Sequence, residues 1–289
     1  MKQESGRWPV AVFAHNEEDC IEACVRSLLD NRQPGIALEV HVLANACSDG
    51  TETVVARLAA SEPSVRLHSI SIGDKANAWN VYVHEVAPES EVHFFIDGDV
   101  QACAGALLPL AQALAAAPQA NAAAALPVSG RAMAETRRRM VSNRDLAGNL
   151  YALSGDFVRR LRAQRIAMPR GFIGEDSLVG AFAKYDLDPA RGWDDSRIVS
   201  CEGSGFAFES LSALKPADWR LYWNRRIRYS MRKFQMQALR RQVERQGFHA
   251  MPVDVRELYR DPAAWTGGPA DPLFDLLARR RIRKASAPK

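Results

Sequence analysis

Three short groups of residues carry side chains that could do chemistry. Asp97-Gly98-Asp99 closes a dense apolar run, VHFFI. Two carboxylates flanking a glycine suit work on a metal-bound diphosphate. One would ligate a hard divalent cation, Mn2+ or Mg2+, and the other would hold a sugar hydroxyl or a water. Such cations favour oxygen ligands and retain waters and phosphate oxygens. The plainer reading is a polar turn capping the next helix. Glu175-Asp176 follows a glycine-containing turn and opens a helix. A carboxylate there could act as general base toward a hydroxyl. Acidic residues in a first helical turn are also favoured by the helix dipole alone. Arg225-Arg226-Ile227-Arg228-Tyr229 offers planar, always-charged donors to phosphate oxygens and a ring that stacks on a sugar. A solvated basic helix face would look the same.

These groups need elements to bring them together. Val10–Ala14, Leu38–Ala44, Val65–Ile72 and Val92–Ile96 read as strands. Periodic stretches between them, through Leu29, over Thr51–Ala60 and over Lys75–Val86, read as helices. Strands separated by helices of this length suggest βαβ units around a mostly parallel sheet. Asn16-Glu17, Asn45, Asp49, Asp97 and Asp99 all follow strand ends, the edge at which open α/β sheets bind ligands. Further on, a helix is expected from Gly105 to Ala117 and a strand over Asn121–Val128. A helix should follow Gly174-Glu175-Asp176, and a long helix is expected over 215–246.

Composition sets the bounds. A chain of 289 residues, 47% hydrophobic and 25% charged, is ordinary globular material. Five cysteines make no disulfide framework, and Cys20 and Cys24 read as thiols packed on a helix in a reducing compartment. The N-terminal stretch has no apolar run of signal-peptide length, and Ala102–Pro118 is interrupted by Pro109 and Gln112. A cytoplasmic protein is expected, with peripheral placement at the inner face of the membrane as its variant.

The net charge of +4 is a sum over unlike parts. Residues 131–170 carry ten arginines against three acids, and 215–246 carry ten Lys/Arg against Asp218 and Glu244. The first half is acidic at its strand ends. Arg-rich stretches give the footprint of a nucleic-acid binder, but no zinc knuckle, RNP-type segment or basic zipper accompanies them. A nucleotidyltransferase would want a basic, Gly-rich triphosphate loop, whereas Asn16-Glu17-Glu18 is acidic. Aromatics and methionines among the arginines of 215–246 suit an interfacial helix on anionic lipid. The alternative is an apolar stripe packed on the catalytic layer, with the arginines solvated.

Taken in order, the segments resemble the family 2 glycosyltransferases of GT-A fold over about residues 8–240. VAVFAHNEE is similar to the family's opening strand and turn, and LANACSDGT to its nucleotide-pocket motif. GDKANAWN is similar to its G-K-A-x-A-x-N segment, and FIDGDV sits where it has D-x-D. GNLYALSGDFVRRL resembles the acceptor-side strand and helix, GEDSLVGAF the E-D motif, and RRIRYSMRKFQ the Q-R-x-R-W segment.

The resemblance implies a Rossmann-like mixed, mostly parallel sheet flanked by helices, with a C-terminal helical extension. The catalytic domain would span 1–210, with a nucleotide-sugar half to about 105 and an acceptor half beyond. A basic amphipathic segment, 211–250, and an extension, 251–289, would follow, with 279–289 disordered. Ala14, Asn16, Glu17, Asn45, Lys75, Asn80, Asp97, Gly98 and Arg228 would line the donor. Asp99 would ligate the metal with Asp97 beside it, Arg228 would steady the departing nucleoside diphosphate, and Asp176 would be the base. Ser154, Gly155, Glu175 and Tyr229 would face the acceptor. The implied reaction is inverting, metal-dependent transfer from a nucleoside-diphosphate sugar, UDP favoured, to a glycan or lipid-linked hydroxyl in cell-envelope polysaccharide synthesis. Asn45 stands where many members have Asp, Arg225 replaces Gln, and Tyr229 replaces Trp. The chain also lacks the spanning helices of processive polymerases, so addition of single sugars is expected.

Overall fold

The alternation of apolar runs and periodic stretches resolves into one eight-stranded sheet with helices on both faces. The computed structural model describes residues 6–209, 216–260 and 271–286. The chain runs β1 (Gly6–Ala14), α1 (Ile21–Leu29), β2 (Ile36–Asn45), α2 (Thr51–Ser61), β3 (Val65–Ile70) and α3 (Lys75–Val81), which continues into a π turn over Tyr82–Val86. Next come β4 (Val92–Asp97), β5 (Val100–Ala102), α4 (Leu107–Ala116), β6 (Ala122–Pro127), α5 (Met133–Asn143) and β7 (Leu150–Ser154). The remainder is α6 (Gly155–Ala163), α7 (Glu175–Lys184), β8 (Ile198–Phe208), α8 (Pro216–Gln246) and α9 (Pro272–Ser286). The strand order is β3-β2-β1-β4-β7-β6-β8-β5.

Strands β3, β2, β1 and β4 pair in parallel, so their C-terminal ends share one edge. Both faces of β1, β2 and β4 are buried over most of their length, which is why they read as near-continuous apolar runs, while the edge strand β3 is largely half-exposed. Val10, Val12 and Ala14 point into one core while Ala11 and Phe13 point into the other, the period-two alternation of a pleated strand. Phe13, Phe95 and Tyr151 stack in series beneath that edge, and Trp79 Nε1 donates to Tyr151 Oη at 3.0 Å.

Strand β7 reverses direction between β4 and β6, pairing Leu150 with Ile96 and Ser154 with Val92. That reversal sets which end of its segment reaches the ligand edge. Strands β5 and β8 and helices α5 and α9 were not anticipated. The Cys201-Glu202-Gly203-Ser204-Gly205 stretch of β8 carries little strand propensity, and pairing with β6 and β5 imposes its conformation.

The expected disorder of 279–289 is corrected as far as Ser286, because residues 279–286 form the C-terminal half of α9. Phe274, Ala278 and Ile282 recur every four residues and are buried in the main core, which holds this arginine-rich helix in place. Helix α8 departs from the single amphipathic face expected of it. From Ile227 onward it buries Ile227, Phe234, Leu239 and Val243 in the same core. Its N-terminal turns instead leave Trp219, Leu221, Tyr222 and Trp223 47–64% exposed.

A histidine cluster beside β2 and β4 makes the fold acid-sensitive. His41 is buried against His68, with Nδ1 and Nε2 3.1 Å apart, and His93 Nδ1 lies 3.3 Å from Tyr82 Oη. Burial first, then neighbouring positive groups, pushes His41 down to about 4 and His93 to about 3. Glu39, 3.6 Å from His41 Nε2, does not offset this. Both folded-state values lie below those of the unfolded chain, so the unfolded chain binds more protons as pH falls below about 6.5. Stability should therefore drop from about pH 6.5 toward pH 4, by on the order of 3 kcal/mol per ring at full titration. Melting temperature against pH checks this, and His93→Gln should flatten the slope.

Candidate active site

The edge formed by the ends of β1, β2 and β4 gathers residues from distant parts of the chain. Gly98 N–H donates to the Phe13 carbonyl at 2.8 Å, which presses the turn after β4 against β1. A β-carbon on Gly98 would lie 3.1 Å from that oxygen and 3.2 Å from Ala14, a crowding that glycine avoids. Asn16, left-handed at φ 59°, accepts the Ser48 N–H on Oδ1 at 2.7 Å and ties the β1 loop to the β2 loop. Glu17 N–H donates to Thr51 Oγ1, and burial raises the Glu17 carboxyl. Asn45 Oδ1 accepts from Asp74 N–H at 2.9 Å, and Asp74 in turn caps α3 at Ala76.

Lys75, the first residue of α3, is the electrostatic centre. Its ammonium pairs with Asp97 Oδ1 and, at 2.6 Å, with Glu175 Oε1. Burial pushes the Asp97 carboxyl up to about 7 against the pull of Lys75, and the Glu175 and Asp99 charges push the same way. Burial also opposes ionisation of Glu175, but Lys75 and the Gly174 N–H hold it down at about 2. Asp99 is exposed in the turn before β5 and has no ion-pair partner among the described residues.

Two carboxylates thus meet one ammonium, and the Asp99 charge lies near enough to act on Asp97. Surplus negative charge on hard oxygen donors fits a divalent cation. Among the described residues no group of three or more His, Cys, Asp or Glu side chains could hold a metal. Asp99 with Asp97 are the carboxylates that would hold such a cation, which would take its remaining oxygen ligands from outside the protein.

The turn before α7 is held from three sides. Asp74 Oδ2 accepts from Gly171 N–H at 2.6 Å. Buried Gln235 of α8 accepts from Ile173 N–H at 2.7 Å and donates to the Gly171 carbonyl at 3.0 Å. Arg232 lies over Gly174, donates to Ser177 Oγ and pairs with Asp176 Oδ1 at 3.2 Å. Glu175 and Asp176 consequently diverge: Glu175 faces Lys75, while Asp176 enters a cleft of about 1010 Å3 between α5, α7 and α8. Tyr229, 55% exposed, lines the same cleft.

Several expected site residues stand elsewhere. Ser154 and Gly155 are at the opposite end of the sheet, because β7 is antiparallel to β4 and its C-terminal end lies beside Val92. Ser154 caps α6 by accepting from Phe157 N–H, and Gly155 packs on the Ser90 carbonyl. The other end of that segment reaches the site. A β-carbon on Gly148 would lie 3.2 Å from Lys75 Nζ and 3.5 Å from the β-carbon of Asp176. Asn80 spends both ends of its amide on the Met168 backbone, at 2.8 and 2.9 Å, and so braces the segment leading to the turn. Glu175, expected on the acceptor side, faces Lys75 and, through it, Asp97. Arg228 is exposed one turn before Arg232 and makes no hydrogen bond or ion pair to the cluster among the described residues. Sequence reasoning missed Arg232, Gln235 and Gly148. The first two were visible seven and ten residues beyond Arg225, on the repeat that keeps one helix face in register.

The model of the glycosyl transferase family 2 matches residues 10–171. None of the curated proteins compared matches the sequence. Among solved structures, a mannosyltransferase from Pyrobaculum calidifontis in complex with GDP-Man and Mn2+ superposes with a TM-score of 0.60 at 21% identity, covering 98% of this chain and 75% of its own. Glucosyl-3-phosphoglycerate synthase from Mycobacterium tuberculosis, in complex with Mn2+, UDP-glucose and phosphoglyceric acid, gives 0.54 at 18% identity, covering 86% of this chain and 81% of its own. TarS from S. aureus gives 0.54 at 16%, covering 80% and 69%. At these identities the likeness is one of fold, a mixed, mostly parallel sheet with a C-terminal helical region.

Proposed function

The chain belongs to glycosyl transferase family 2, and from that premise we propose an inverting, metal-dependent glycosyltransferase that moves a sugar from a nucleoside-diphosphate sugar to an acceptor hydroxyl. The observation that carries the reading is the divergence of two consecutive carboxylates, Glu175 toward Lys75 and Asp97, and Asp176 into the cleft. One helix start thereby joins a charge-rich donor edge to an acceptor space. A UDP-sugar is the favoured donor. Mn2+ or Mg2+ at Asp99 and Asp97 would supply charge stabilisation for the diphosphate.

In this mechanism the acceptor hydroxyl lies against Asp176. Its proton passes to the carboxylate as its oxygen forms a bond to the anomeric carbon. The bond from that carbon to the diphosphate oxygen breaks on the opposite face, and the nucleoside diphosphate leaves with the electron pair. The contacts from Arg232 and Ser177 N–H both fall on Asp176 Oδ1, which leaves Oδ2 for the proton. Lys75 orients Asp97 and Glu175, and Arg228, exposed on α8, would be the cation that steadies the leaving diphosphate. One carboxylate base suffices, because attack and departure occur on opposite faces of the sugar. Proton NMR of the fresh product tests this: the new linkage should have the anomeric configuration opposite to that of the donor. Retained configuration would overturn the mechanism.

The exposed start of α8 supports a second element of the proposal, peripheral contact with anionic lipid. Leu273 and Leu276 of α9 join Trp219, Leu221, Tyr222 and Trp223 as exposed apolar side chains. Arg280, Arg283 and Lys284 are exposed on α9, while Asp271 and Asp275 are paired with Arg226 and Lys233. Aromatic side chains beside unneutralised cations suit a bilayer interface. No described helix is long and apolar enough to cross a membrane. The protein should pellet with phosphatidylglycerol vesicles at low salt and less so with phosphatidylcholine; no pelleting would remove the membrane contact.

A further inference from the structure

The cleft beyond Asp176 has a charge pattern that a neutral acceptor would not require. Its lining includes five cations, and three of them are neutralised within the protein. Arg232 pairs with Asp176, Arg240 with Glu244 at 2.7 Å, and Lys184 with Asp195 at 2.7 Å. The other two, Arg139 near the end of α5 and Arg144 at its cap, are exposed and have no ion-pair partner among the described residues. Asp145, the remaining acid of the lining, faces Asn143 Nδ2 at 3.4 Å rather than either arginine.

These two guanidinium groups are carried on a fixed support. Lys184 is buried at the C-terminal end of α7, donates to the Asn143 carbonyl at 2.6 Å and lies over the Trp193 ring at 4.7 Å. It therefore pins the end of α5 to the same helix that begins at Asp176. Eight residues separate Asp176 from Lys184, about 12 Å along the axis. Between the two ends the cleft is floored by apolar side chains, among them Met140, Leu146 and Leu239.

We infer that this cleft takes an acceptor bearing a phosphate or carboxylate, with its reacting hydroxyl at Asp176 and its anionic group held by Arg139 and Arg144 across the apolar floor. The orientation rests on the proposed role of Asp176, whereas the anion site rests on the arginines alone. Guanidinium groups bind such anions through charge-assisted, often bidentate hydrogen bonds, and a neutral glycan would leave both arginines unused. The anion could come from a soluble sugar phosphate or from the phosphate of a lipid-linked acceptor.

Calorimetric titration of the whole protein with glucose, glucose 6-phosphate and farnesyl phosphate tests the assignment and separates the two sources. Glucose 6-phosphate or farnesyl phosphate should bind at least about tenfold more tightly than glucose, the gain expected from one charge-assisted pair. Arg139→Gln/Arg144→Gln should abolish that difference while melting near the wild-type temperature, since both side chains are exposed. Stronger binding of farnesyl phosphate would assign the lipid source, and stronger binding of glucose 6-phosphate the soluble one. Equal binding of glucose and both phosphates, or discrimination that survives in the double variant, would overturn the inference. UDP with Mn2+ is titrated into the same samples. Phosphate binding through the arginines without UDP binding would uphold this site and overturn the donor reading, and the converse would overturn this site alone.

Discussion

Asp176→Asn should leave the donor bound and stop the transfer. The substitution keeps the size of the side chain and an oxygen that can accept from Ser177 N–H, now 2.8 Å from Oδ1. It removes the capacity to take a proton. A positioned general base contributes typically 10²–10⁴-fold, so kcat should fall by about a thousandfold with donor affinity within about twofold. Glu175→Gln is the informative neighbour, because it loosens the Lys75 contact on the donor side and should change donor affinity more than Asp176→Asn does. Weakened donor binding with unchanged turnover in Asp176→Asn would exclude the base role.

The second large effect belongs to Asp99. This carboxylate is exposed, so Asp99→Ala should melt like the wild type. Donor affinity and turnover should both fall, by about a hundredfold or more, if Asp99 holds the cation that neutralises the diphosphate. Chelation with EDTA should reproduce the loss in the wild type and add little to the variant, since two perturbations of one interaction are not additive. Full turnover of the wild type in EDTA would remove the metal from the account.

The strand-end cluster of Asn16, Asn45, Asp97 and Asp99 was legible in the sequence because these residues close or follow strands buried on both faces. Such strands announce themselves as apolar runs, and parallel pairing brings their ends together. Asp97 and Asp99 stand at the end of β4 that the apolar run marked, whereas Lys75 and Glu175 open helices and meet Asp97 only through tertiary packing, so the turn of Glu175 away from its expected acceptor side was not visible. Ser154 and Gly155 were misplaced because a local motif does not reveal strand direction. With β7 antiparallel, the useful end of GNLYALSG is Gly148. Asn80 was read as facing a ligand, but its chemistry suits backbone bracing equally well, and only the neighbouring chain at Met168 decides. Arg232 was hidden among nine other cations of 215–246, and what distinguishes it is its reach across Gly174 to Asp176. Helix α9 was hidden by its charges, although Phe274, Ala278 and Ile282 held the helical period throughout.

The central claim is a division of labour: a metal-dependent donor site at Asp97, Asp99 and Lys75, and a proton acceptor at Asp176. Measuring UDP-sugar affinity and single-turnover rate side by side in the wild type, Asp99→Ala and Asp176→Asn, each with Mn2+ and with EDTA, tests it most directly. The account predicts that Asp99→Ala and EDTA each weaken donor binding. It also predicts that Asp176→Asn binds donor normally in Mn2+ yet barely turns over. Equal loss of binding in both variants, or binding indifferent to Mn2+ throughout, would contradict it.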